Sequence, residues 1–441
     1  MVDGSSDEAL RDEAVSAPEQ GRRRRLGRAR GLLRRRAGLV AFLAVVGPGL
    51  ITASADNDAQ GITTYSLVGA KTGYALLWVL PLALLALVVT QEVGARIGLV
   101  TGKGLGALIR ERFGVRPATL AMLLLLVANL ATTAAEFAGV AAALEIFGVT
   151  RYISVPIAAV LVLVLVAKGG YRRVERVLLI GSAVFGAYIV SGVLAHPDWT
   201  AAFRGFATPS FEKDPVFVLT AVGMVGTTIT PWGQFFIQGY VVDKGLGPDD
   251  LAYERADVFL GQLAMGVVVF FIIIATAATV FATGATIVDA QDAARALEPL
   301  AGRFAEVLFA LGLLNASLMG ANILPLSTSY AVCEAFGFEL GLDRYIREAP
   351  VFYGIVAFAI GFGALVVLIP GIPLVPILFI SAVVNAVLLA PILIYLHILA
   401  NDRDLMGDLK NGRLANVLTL GTIVLLIILT IVLAVVSIVA A

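Results

Sequence analysis

Apolar residues run along this chain in blocks of about 20 or more, the length that crosses a hydrocarbon core as a helix. Eleven blocks stand out, near residues 39–70, 75–99, 117–147, 152–168, 176–195, 216–241, 257–284, 302–336, 351–369, 373–399 and 416–440. Polar residues collect between the blocks, with two exceptions. In the first block, GPGLITASADNDAQGITTYS (47–66) sets Asp56, Asn57 and Asp58 among Gly, Ala and Thr. In the sixth, GMVGTTITPWGQFFIQ (223–238) gathers Thr227, Thr228, Thr230, Pro231 and Gln234. A charge inside a span costs at least about 2.5–3.5 kcal/mol, so it normally faces a cavity or a transport path. Pro231 removes a backbone donor and crowds the preceding turn. Freed backbone groups are tolerated only where they line a site. Blocks one and six are therefore expected to be broken helices. They stand five apart, and an odd number of spans per half inverts the second half. The pattern predicts an all-α polytopic membrane protein of about 11 transmembrane helices in two inverted five-helix repeats. The substrate site is expected midway across the membrane, between the breaks.

Composition agrees. Of 441 residues, 59% are hydrophobic and 15% charged, against roughly 45–50% and 25% in soluble domains. A water-soluble globule, a disordered chain and a disulfide scaffold are excluded. The single cysteine, Cys333, can form no internal bridge. Net charge is zero, yet 26 of the 32 Lys and Arg fall on one side once the N-terminus is placed in the cytoplasm. The other side holds only Lys71, Arg151, Arg204, Lys213, Arg295 and Arg303. This bias predicts a multi-pass plasma-membrane protein with its N-terminus inside and its C-terminus outside. Residues 1–37 read as a disordered basic cytoplasmic segment, with nine arginines between Arg22 and Arg36. Because they abut an apolar block, anionic headgroups suit them better than nucleic acid. Residues 38–400 are the expected transporter core, with repeats at about 38–195 and 216–400. Residues 401–441 add a loop and an extra helix. The lipid bilayer is an expected partner, nucleic acid is not, and a monomer is expected. No nucleotide-binding loop, Cys/His cluster or nucleophile motif is present, so no enzymatic activity and no cofactor are expected.

At this point the sequence resembles the NRAMP family of divalent-metal transporters. That family's first span reads Gly-Pro-Gly, then Asp-Pro-Gly-Asn, then Gly-Tyr followed by Leu-Leu-Trp. Here Gly47-Pro48-Gly49 and Gly73-Tyr74 with Leu76-Leu77-Trp78 bracket the region without gaps. The register places the family's metal-binding aspartate at Asp58, its proline at Ala59 and its asparagine at Gly61. QEVGARIGLVTGKGLGALIRERFG (91–114) is similar to the family's inner loop, and AEFAGVAAALEIFG (135–148) to its third span. The resemblance covers most of residues 38–400 and implies a LeuT-like fold.

The departures shape the expected chemistry. The family's Met-Pro-His in span six is Thr230-Pro231-Trp232 here. Thioether sulfur is a soft ligand, whereas oxygen suits Mg, Ca and Mn. Losing the sulfur and gaining Asp56 and Asn57 beside Asp58 gives an all-oxygen site for a hard ion that keeps several waters. The pattern is similar to the NRAMP-related magnesium transporters. The expected metal-site residues are Asp58, Asp56, Asn57, Gly61, Thr227, Thr230 and Gln234, with Mg²⁺ or Mn²⁺ as transported substrate. Thr133 stands where the family has an aspartate before Glu136, and Trp232 and Ile237 stand at its two histidines. Uncoupled uptake by alternating access is the leading expectation. A proton-coupled Mn²⁺/Fe²⁺ symporter and a sodium-coupled organic solute symporter of the same fold are alternatives. Glu136 reads either as a remnant of the relay or as a buried structural acid. Glu92, just before Arg96, is expected to make an internal ion pair or a helix-end hydrogen bond, and Asn315, Asn322 and Asn385 to join helices.

Overall fold

The computed structural model describes residues 56–167, 178, 180–341 and 345–439. The basic segment 1–37, the Gly47-Pro48-Gly49 motif with the first half of the first block, and the basic loop at 168–177 lie outside the described residues. Among the described residues every regular element is helical. In chain order these are α1 (Ala59–Thr72), α2 (Val79–Thr101), α3 (Leu105–Phe113), α4 (Val115–Glu145), α5 (Arg151–Ala167) and α6 (Gly186–Leu194). Next come α7 (Trp199–Ala207), α8 (Pro215–Thr228), α9 (Pro231–Asp243), α10 (Leu251–Thr276), α11 (Ala290–Ala294) and α12 (Glu298–Ala301). The chain finishes with α13 (Ala305–Phe336), α14 (Pro350–Val367), α15 (Leu374–Asn401), α16 (Arg403–Met406) and α17 (Arg413–Val439).

Among the described residues eight stretches are long and apolar enough to cross a membrane: those holding α2, α4, the α8–α9 pair, α10, α13, α14, α15 and α17. Two shorter apolar helices, α5 and Ser182–Leu194, fall on the fourth and fifth blocks. α1 supplies the second half of the first. Boundaries moved where charge is buried. α10 starts at Leu251 rather than near 257, because Glu254 and Asp257 lie inside the bundle. The eighth span starts at Ala305, preceded by short helical turns from Ala290 onward.

Both breaks have local causes. A residue before proline is pushed out of the α region, and Thr230 is extended at φ −102°, ψ 147°. Pro231 then opens α9 at its first turn, where a missing N–H costs nothing. The break before α1 has no proline. There Asp58 takes an extended conformation and its side chain accepts from the Gly61 N–H at 2.6 Å, a cap worth about 1 kcal/mol.

The bundle is apolar outside and polar at its centre. Large aliphatic side chains such as Ile157, Val160 and Val417 are exposed, as a lipid-facing surface requires. α1 is enclosed by α4, α8, α10 and α15, and α9 lies against α2 and α13. One end is tied by charge. Glu92 holds Arg96 at 3.1 Å and Arg255 at 2.7 Å. Arg96 also donates to the Leu409 carbonyl and to Asn411 Oδ1. Asn315 donates to the Leu178 carbonyl at 3.1 Å, joining two spans.

Close approach of α8 to α15 depends on Gly226. A Cβ there would lie 2.0 Å from the Ala382 carbonyl oxygen, which is backbone and cannot step aside. Gly239 on α9 has nothing within 4 Å of its own Cβ position. Gly226→Ala should therefore cost about 1–3 kcal/mol through overpacking, while Gly239→Ala should be neutral or slightly stabilising. Thermal unfolding in detergent, followed by a thiol-independent fluorescence probe, checks the pair; equal melting temperatures would refute the packing argument.

Candidate cation site

The two breaks face each other at the centre of the bundle. Asp56, Asn57 and Asp58 are 1%, 5% and 3% exposed, and Thr230 is 2% exposed. Polar atoms buried this deeply normally have partners. Several here have none: Asp56 Oδ1, Asn57 Oδ1, Thr230 Oγ1 and both amide atoms of Gln91 and Gln234. Three of these unpartnered atoms converge. A methyl group placed on Gly233 would lie 2.9 Å from Gln91 Nε2, 3.2 Å from Thr230 Oγ1 and 3.9 Å from Asp56 Oδ1. The other Asp56 oxygen accepts from Gln262 Nε2 at 3.5 Å. These groups are contributed by α2, α9, α10 and the residues before α1.

The opposite side of α1 is different in kind. Gln60 Oε1 accepts from Ser381 Oγ at 2.9 Å and Asn385 Nδ2 at 3.4 Å, while its Nε2 donates to Thr227 Oγ1 at 3.4 Å. Asn385 continues to Thr132 at 3.1 Å. Tyr65 Oη lies 2.9 Å from Thr228 Oγ1. This layer is hydrogen-bonded across α1, α4, α8 and α15. Glu136 sits between the two regions: its Oε2 accepts from the Ala59 N–H at 3.4 Å, and its Oε1 has no partner.

Of the expected site residues, Asp56 and Thr230 are brought together, and Gln234 is buried without partners on the first turn of α9. Asn57 lies between the two aspartates. Asp58 adjoins them with one oxygen committed to the Gly61 N–H, and that N–H is all that Gly61 adds besides room. Thr227 turns its hydroxyl to Gln60. Because Pro231 has no N–H, the Thr227 carbonyl also lacks the donor that an unbroken helix would bring it. Gln238, one turn beyond Gln234, donates to the Lys103 carbonyl at 2.9 Å. Gln91 and Gln262 were not among the expected residues. Their signal was present, since each is a lone amide within an apolar block. Among the described residues no three His, Cys, Asp or Glu side chains come together as a metal cluster. The convergent donors are instead carboxylate, hydroxyl and amide groups, which suit a hard cation.

Comparison with known proteins places this geometry. Residues 49–436 match the family model for natural resistance-associated macrophage protein-like sequences. A divalent metal cation transporter, MntH, of Pectobacterium carotovorum is 30% identical over 383 residues, covering 84% of this chain and 89% of that protein. The MntH of Bacillus subtilis is 27% identical over 396 residues, covering 87% and 89%. The manganese transporter of Eremococcus coleocola superposes with a TM-score of 0.72 at 22% identity, over 90% of this chain and 87% of that one. MhsT, solved with L-phenylalanine, shares the fold at a TM-score of 0.58 and 17% identity, over 88% and 97%. The inverted-repeat, LeuT-like architecture expected from the two breaks is thus the one observed, and the chain belongs to the Nramp family.

Proposed function

We propose that this protein carries divalent cations, Mg²⁺ and also Mn²⁺, across the plasma membrane by alternating access, without a coupled proton. The observation that carries this reading is the set of unpartnered oxygen-bearing groups facing one another at the two helix breaks, with no sulfur among them. Family membership and the MntH relatives support divalent-cation transport. The replacement of a thioether by Thr230 supports a hard ion. Mg²⁺ is bound through one or two carboxylates and keeps several waters, and Asp56 and Asp58 are a pair of that kind. The positive-inside bias supports an inward N-terminus, with the Glu92–Arg96–Arg255 cluster on the cytoplasmic side.

Asp58 supplies charge and also caps α1. Asp58→Asn keeps the capping capacity and removes the charge, so it separates the two roles. Both Asp58→Asn and Asp58→Ala should abolish uptake into liposomes while remaining monodisperse in detergent. Uptake near the wild-type rate in either variant would misplace the site.

Thr230→Met would restore a soft ligand and take up space. Stripping water from Mg²⁺ is especially unfavourable. The variant should transport Mg²⁺ at least about tenfold less well relative to Mn²⁺ or Cd²⁺, a loss of about 1.4 kcal/mol in discrimination. An unchanged preference in competition uptake would show that Thr230 does not meet the ion.

At the relay positions, Thr133 bonds the Asn129 carbonyl at 2.7 Å, and Trp232 and Ile237 are buried. None of the three titrates. The membrane potential alone supplies about 2.3 kcal/mol per charge per 100 mV, hence roughly 4.6 kcal/mol for a divalent ion. Liposomes loaded with a pH-sensitive dye and held negative inside should take up metal with no metal-dependent acidification. Acidification that scales with Mg²⁺ and vanishes in Asp58→Asn would establish proton coupling instead.

A further inference from the structure

Asp58 is not the aspartate with the barest oxygen. One of its oxygens is taken by the Gly61 N–H at 2.6 Å. Asp56 has Oδ1 without any partner and Oδ2 in a long contact with Gln262 Nε2, at 3.5 Å. The unpartnered oxygen faces the same point as Gln91 Nε2 and Thr230 Oγ1, beside the bare Cα of Gly233. Gln91 and Gln262 are 1% and 0% exposed. Gln91 has no partner at either amide atom, and Gln262 has none at Oε1. Burying an amide atom without a hydrogen bond is costly, and around this one carboxylate Gln91 does so at both atoms and Gln262 at Oε1.

From this we propose that Gln91 and Gln262 are specificity-determining residues. With Asp56 and Thr230 they would wall a cation station on the α2–α10 side of the breaks, and Gly233 would keep it open. The proposal rests on the cation-transport reading above and adds to it which groups the ion meets beyond the aspartates. A bare cation has no use for an amide N–H. A cation that arrives with water presents both hydrogens and lone pairs, so each amide can accept from one water and donate to another. The unpartnered atoms, both on Gln91 and Oε1 on Gln262, follow, since their partners belong to the cargo. The hydrogen-bonded layer around Gln60 has no such vacancy to fill and serves to hold α1, α8 and α15 together. A side chain on Gly233 would occupy the point where the three polar atoms converge.

The test is uptake by the full chain in liposomes, with initial rates measured for Mg²⁺ and for Mn²⁺ separately. Gln91→Leu and Gln262→Leu keep the volume and remove the amide. Each should raise the KM for Mg²⁺ tenfold or more and that for Mn²⁺ by a smaller factor, because Mn²⁺ gives up water more readily. Gly233→Ala should lower Mg²⁺ uptake at least tenfold. Gln262→Asn, which keeps an amide one carbon shorter, should recover part of the loss. If Gly233→Ala does not purify as a monodisperse protein, the two leucine variants decide alone. Leucine variants whose KM for both ions stays within twofold of wild type would overturn the station while leaving the transport reading intact. Equal losses for Mg²⁺ and Mn²⁺ accompanied by a fall in melting temperature would also overturn it, marking the amides as packing groups. A wild-type protein that moves neither ion would sink the transport reading and the station with it.

Discussion

Two carboxylates separated by one residue are held here inside a bundle whose outer surface faces hydrocarbon. Among the described residues neither has a cationic side chain as a bonded partner, and Arg96 and Arg255 pair instead with Glu92 on α2. A buried charge without a partner is among the most costly features a fold can carry. Much of the centre of this molecule can be understood as a response to it. The chain is broken at Asp58 so that one carboxylate oxygen can cap α1. Gln262 is drawn toward Asp56 from α10. The second break, at Thr230 and Pro231, opens opposite the first. What remains after these adjustments is an Asp56 oxygen with no protein partner, and on the proposed reading a divalent cation is the partner it lacks.

The polar centre then divides by whether its hydrogen bonds are complete. Around Gln60 they are complete, and the groups come from α1, α4, α8 and α15. Around Gly233 they are incomplete, and the groups come from α2, α9, α10 and the residues before α1. A satisfied network rigidifies the helices it joins. An unsatisfied one is tolerable only if something arrives to complete it. Thr227 and Thr230 lie three residues apart on either side of the same break, yet they fall on opposite sides of this division. Their chemical identity is the same, and only the geometry of the break separates their roles.

The architecture was readable in the sequence because its signals are long. Twenty-residue apolar blocks cannot easily be mistaken, and a triplet of Asp, Asn and Asp inside one of them has few explanations. The site was readable only in part. Asp56, Asp58 and Thr230 stand at the breaks themselves, so the break signal found them. Gln91 and Gln262 stand in unbroken helices, and a single amide in an apolar block looks the same whether it joins two helices or faces a cavity. Asn315, a residue of the same kind, does join helices. Which of these an amide does depends on the direction of its side chain relative to neighbours distant in sequence, and no local pattern encodes that. Gly233 is the same problem in reverse. A helical glycine near a proline reads as part of the break, and its value as empty space appears only when the atoms around it are placed.

A carrier must release what it binds, and the donor set bears on that requirement. Three or more carboxylates or imidazoles converging on one ion would make a site of the kind that retains metal, and among the described residues no such convergence exists. Neutral amides and a hydroxyl around a carboxylate oxygen give up much less when the ion leaves, since each can return to weak contacts within the bundle. With about 4.6 kcal/mol available from a 100 mV potential for each divalent ion, a modestly binding site can still be driven in one direction. Tight binding would instead require a second energy source to empty the site, such as a proton delivered to the carboxylate. Thr133, Trp232 and Ile237 do not titrate, and Gln91, Gln262 and Thr230 are neutral; on the transport reading proposed above these features belong together, because a site that bound its cation loosely would have less need of a relay to release it.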